Sequence, residues 1–72
     1  MRSKEDLIYG LIFSDRLSYY INISDYIEDV DGYEKFIDEI KKILKKSKVS
    51  IVSEKISSDD DGFYWNIKVR KS

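Results

Sequence analysis

Carboxylates are the only group of catalytic or metal-binding side chains this chain carries in quantity. It has 14 Asp and Glu among 72 residues, no His and no Cys. The densest run is Asp59, Asp60 and Asp61, followed by Gly62. A divalent cation would use such a run only in a loop of defined spacing. If Gly62 filled the sixth position of an EF-hand loop, Ser57 would stand first and Lys68 last, where an acid and a bidentate Glu are needed. The same test around Gly32 puts Ile27 first and fails too. Glu39 and Lys41 have the Glu-x-Lys spacing of some metal nucleases, but they fall on a helix rather than a strand. Without His or Cys, general-base and nucleophilic schemes lose their commonest members, and no Ser is flanked by glycines as in a nucleophile elbow. The expectation is a chain that is not an enzyme, uses no cofactor and no metal, and works by contact.

The charges that remain are sorted by sign. Asp25, Glu28, Asp29, Asp31 and Glu34 form one run, and Lys41, Lys42, Lys45, Lys46 and Lys48 follow it, so a formal net charge of −1 and a pI near 5.3 conceal strong local fields. The acidic run and the Asp59, Asp60, Asp61 turn are the first candidates for contact with a basic protein partner. They would imitate a phosphate backbone and steer the encounter. The lysine run has a plainer explanation: cations at the end of a helix offset its macrodipole and face water.

That helix is the element read most directly. Tyr33, Phe36, Ile37, Ile40, Ile43 and Leu44 form one apolar stripe, which predicts a helix from Asp31, as N-cap, to Lys46. Leu17, Tyr19, Ile21 and Ile23 alternate with polar residues or Tyr20. Phe63, Trp65, Ile67 and Val69 alternate with Tyr64, Asn66, Lys68 and Arg70. Both patterns read as half-buried strands. Val49 to Ser57 is rich in β-branched residues, and the turn before Gly62 makes the last third a hairpin. Pairing Ser57 with Gly62 would set Ile56 against Phe63, Val52 against Ile67 and Ser50 against Val69, with Gly62 free to take a positive φ. The stretch Leu7 to Phe13 is ambiguous. Ser3 with Asp6 would cap a short helix, whereas Gly10 and the shortness of the run favour a strand. The strand reading completes a single α+β domain spanning 1–72. It is a two-layer ββαββ fold, a four-stranded, mainly antiparallel sheet with one helix across one face.

Such a sheet leaves a face uncovered. On these pairings it carries Ile8, Ile12, Tyr20, Ile51 and Tyr64 beside Lys55, Asn66, Lys68 and Arg70. Apolar and tyrosine groups there suit a protein contact, most simply a homodimer by sheet stacking. Tyr20, Tyr64, Lys68 and Arg70 also offer the alternative of a nucleic-acid-binding module, opposed by the acidic pI. A third option is a structural subunit of a homo-oligomer.

No segment is apolar enough to span a membrane, and the acidic pair Glu5 and Asp6 argues against a signal peptide, so no membrane partner and a cytoplasmic location are expected. Abundant Ile, Lys and Tyr, with no Ala or Pro, point to an A/T-rich genome. In size, acidity and codon bias the chain resembles small phage or mobile-element proteins that inhibit host defence nucleases. That resemblance implies an anti-CRISPR-like inhibitor that blocks its partner by surface contact.

Overall fold

The computed structural model describes residues 2–71; Met1 and Ser72, the ends of the expected domain, lie outside the described residues. The described chain is α+β. Helix α1 (Lys4–Phe13) leads into strand β1 (Ser18–Asn22), and two 3-10 turns (Ile23–Asp25 and Val30–Gly32) precede helix α2 (Tyr33–Lys46). Strands β2 (Val49–Asp59) and β3 (Gly62–Lys71) complete it. The three strands form an antiparallel sheet in the order β1-β3-β2, with both helices on one face.

The first segment is thus a helix, and the expected fourth strand and ββαββ order do not occur. Gly10 disfavours a helix interior by only about 1 kcal/mol relative to Ala, and several contacts outweigh it. Ser3 Oγ accepts from Asp6 N, Glu5 and Asp6 complement the first-turn dipole, and Leu11 is fully buried. The Gly10 carbonyl also accepts from the Tyr19 hydroxyl at 3.1 Å, which ties the helix to β1. An ion pair from Lys4 to Glu39 (2.6 Å) joins α1 to α2.

The apolar stripe of α2 packs as its spacing requires, with Phe36, Ile37, Ile40 and Leu44 buried and Ile43 at the margin. Its start differs from expectation. Asp31 does not cap it; Asp29 accepts from Asp31 N at 3.0 Å and caps a 3-10 turn instead, so the α-helix begins at Tyr33. At the other end Lys48 takes a left-handed φ of 61°, a conformation usually given to Gly, and turns the chain directly into β2. A second ion pair, Lys41 to Glu54 (2.8 Å), fastens α2 to that strand.

Alternation in β3 buries Trp65, Ile67 and Val69 against the helices, with Ile21 and Ile23 beside them, while Leu17 lies before β1 and is exposed. The hairpin is tighter than expected. Asp59, not Ser57, pairs with Gly62, because Asp59 Oδ1 accepts from both Asp61 N (2.8 Å) and Gly62 N (3.1 Å). Ile56 therefore opposes Trp65 and Glu54 opposes Ile67. A bulge at Val52 then reverses the facing of the first part of β2. Ile51 opposes Val69 and packs on the core, Ser50 opposes Arg70, and Val52 is exposed.

Candidate interaction surfaces

Two surfaces follow from this architecture, one at an end of the molecule and one on the sheet. At the end formed by the β2–β3 turn, the 3-10 turns and the start of α2, the acidic segments meet. Two contacts bring them together. The Tyr33 ring packs on Phe63 at 4.8 Å, which sets Asp31 and Glu34 beside the hairpin. Gly62 lies against the Asn22 side chain so closely that a Cβ there would fall 2.7 Å from its Oδ1. Gly62 has no positive φ, so the turn needs its missing side chain rather than its backbone freedom. Asn22 Oδ1 in turn accepts from Ser24 N (3.2 Å) and the Ser24 hydroxyl (2.5 Å), which forms the 3-10 turn that carries Asp25.

The electrostatics record the meeting. Desolvation first, then the fields of Asp59, Tyr20, Asp61 and Asp25, raise the Tyr64 hydroxyl above the usual phenol range. Carboxylates distant in sequence thus act on one side chain. Two of the eight acids also shape backbone, Asp29 through Asp31 N and Asp59 through the hairpin turn. Asp25, Glu28, Asp31, Glu34, Asp60 and Asp61 have no ion pair among the described residues. Arg2 moderates the end, since it interacts with Tyr26 and Asp25. Among the described residues, no group of three or more His, Cys, Asp or Glu is placed to hold a metal ion.

The opposite end is basic. Val49 pairs with Lys71 and Ser50 with Arg70, which brings the last turn of α2, with Lys45 and Lys46, next to the end of β3. The Lys71 ammonium donates to the Ser14 carbonyl, adding the loop that holds Arg16. The body measures 35 × 19 × 18 Å, and the sorting by end is partial: Lys4 and Lys35 lie with Tyr26, Ile27 and Gly32 near the acidic end, and Asp15 shares the loop of Arg16.

The uncovered sheet face is less apolar than the sequence implied. Ile8 and Ile12 lie on α1, and Ile51 packs on the core, all half-buried against it. What remains in strand register is Tyr20, Tyr64, Lys55, Asn66, Lys68 and Arg70, with Ser and Asn at most other positions and the Asp59–Gly62 pair at the turn end supplying its one carboxylate. Tyr20 and Tyr64 stack at 4.4 Å with planes 17° apart. Sheet stacking thus retains two tyrosines of the apolar patch on which a homodimer was expected.

Two features were missed. Tyr9 and Phe13 pair at 4.7 Å on α1 and are both about two-thirds exposed. Reading the segment as a strand hid that pair, although Ser3 and Asp6 signalled the helix. A groove of about 500 Å³ between the end of α2 and β2, lined by Leu44, Val49 and Ile51 with Lys45 and Lys48, follows from the bulge. Among the described residues no helix is long and apolar enough to cross a membrane. In comparisons with protein-family models, curated proteins and solved structures, nothing matched this chain.

Proposed function

We propose that the chain is a non-enzymatic binding protein that occludes a basic protein partner with its acidic end. The observation that supports this reading is the pair of contacts, Gly62 against Asn22 and Tyr33 against Phe63, that carries Asp25, Asp31 and Glu34 to the hairpin turn of Asp59 and Asp61. Unpaired carboxylates collected at one end produce a field that attracts a cationic groove and raises its association rate. A basic groove of that kind belongs to proteins that hold nucleic acid. In its finer form the proposal is an inhibitor of a host defence nuclease, encoded by a phage or mobile element and acting in the cytoplasm. Such an inhibitor needs no catalytic group and suits a domain of this size.

The test is affinity capture from bacterial lysate at low and high salt, with the parent protein beside an Asp60→Lys/Asp61→Lys variant. Asp59 is left in place because its carboxylate holds the turn. The expected result is a basic, nucleic-acid-binding protein retained by the parent at low salt, released near 1 M salt, where the Debye length falls to about 3 Å, and not retained by the variant. Retention indifferent to both salt and the reversal would refute the acidic end as the contact.

A further inference from the structure

The sheet face turned away from the helices differs in charge from the rest of the molecule, and its aromatic groups are arranged rather than scattered. We propose that it binds single-stranded nucleic acid, with a base stacked on Tyr20 and the phosphates running toward Arg70. This site is separate from the acidic end and does not depend on the reading given for it.

Three observations carry the inference. Tyr20 and Tyr64 lie nearly parallel, so one face of Tyr20 is covered by its neighbour while the residue as a whole stays 61% exposed. The free ring face is a platform for a third flat ring, and bases of any sequence can use it. Lys55, Lys68 and Arg70 make no salt bridge among the described residues, and Arg16, whose guanidinium lies over the Tyr19 ring, makes none either; the one carboxylate in register on the face is Asp59, at its turn end. Arg16, Lys55 and Lys68 border a shallow hollow of about 530 Å³ that also includes Tyr20 and Asn66. Asn66 donates to Ser57 Oγ at 3.3 Å, which leaves its carbonyl oxygen for a base edge.

Geometry also sets the direction and size of the ligand. Asp59, paired with Gly62 two residues before Tyr64 on this face, repels phosphate at the turn end, so the strand leaves Tyr20 along Lys68 and Arg70. Tyr20 opposes Asn66, and Arg70 is four residues further along β3, about 13 Å at the rise of a strand. That length accommodates a few nucleotides. A duplex cannot present a base face to Tyr20, which restricts the ligand to single strands.

The experiment is fluorescence anisotropy of a short fluorescein-labelled oligothymidylate titrated with the full chain at several salt concentrations. Four phosphate contacts predict a slope of log K on log salt near about −2.8, hence about 50-fold weaker binding between about 50 and 200 mM. Lys55→Gln/Lys68→Gln replaces two exposed side chains and should bring the slope to about −1.4. Tyr20→Ala should weaken binding at least about fivefold. Buried-Trp65 emission verifies that each variant is folded. Asp60→Lys/Asp61→Lys should leave binding unchanged or tighter, so failure here and failure of the acidic contact are distinguishable. The inference is overturned by no anisotropy change at low salt, by equal binding of a duplex, or by a slope indifferent to the lysines. It is also overturned if Tyr20→Ala shifts the protein from dimer to monomer without nucleic acid, which would make a second copy the occupant.

Discussion

Gly62→Ala tests the contact that holds the acidic segments together. A Cβ at position 62 would lie 2.7 Å from both Nδ2 and Oδ1 of Asn22 and 2.9 Å from its Cγ, so the amide must leave. Its departure breaks the two Ser24 hydrogen bonds that cap the Ile23–Asp25 turn, a loss of about 1 kcal/mol for a cap of this kind. Against it stands a gain of about 0.4–1 kcal/mol from restricting the unfolded chain, since φ at Gly62 is one that Ala accepts. The single substitution should therefore be nearly neutral or mildly destabilising. In an Asn22→Ala background the clash is gone and only the gain remains, so Gly62→Ala should stabilise there. The difference is a coupling of about 1 kcal/mol, or about 4–8 °C in Tm for a domain of this size. Urea and thermal unfolding of the four proteins, followed by the fluorescence of buried Trp65, measures it. Equal effects of Gly62→Ala in both backgrounds would refute the steric link and, with it, the account of how Asp25 is held near the hairpin turn.

Two further outcomes follow from the packing and the charges. Leu11→Ala, which removes the one fully buried side chain of α1, should lower stability by about 2–5 kcal/mol in urea unfolding, whereas Tyr9→Ala on the same helix should change it little; equal effects would contradict the placement of α1. The Lys4 ammonium, by its hydrogen bond and then its charge, holds the Glu39 carboxyl below its ordinary value. A lowered folded-state pKa stabilises above the unfolded value, and that contribution fades as pH falls through the folded one. Glu39→Gln should therefore reduce the loss of stability on acidification below about pH 4.5, read by urea midpoints at neutral and acid pH, and an unchanged acid limb would contradict it.

Helix α2 was legible because its stripe, Tyr33 to Leu44, runs more than three turns with charges sorted to its dipole. Strand β3 was legible because Phe63 to Arg70 alternates without interruption. The segment Leu7 to Phe13 was not, since it is apolar on every side and periodicity has nothing to register; its cap, Ser3 to Asp6, was the informative residue pair. Hairpin register depended on one Asp59 side chain, and the facing of Ile51 on a bulge at Val52, since the two adjacent β-branched residues fit either side. Of the candidate surfaces, Tyr20 and Tyr64 were readable from the two-residue period. The meeting of the acidic segments was not, because it rests on Asn22 against Gly62 and Tyr33 against Phe63, contacts between residues about 30 to 40 positions apart.

The bulge at Val52 also bears on solubility. Strand β2 is 11 residues long and pairs only with β3 among the described residues, so its outer edge offers unpaired backbone groups to any other strand. A flat edge of that length would template polymerisation. At Val52 the spacing of those groups is broken, and Lys45 and Lys48 stand beside the same stretch. An incoming strand in regular register would match only one side of the break, with cations crowding its approach. The irregularity that sets Ile51 against the core thus also interrupts the strand edge that regular pairing would need.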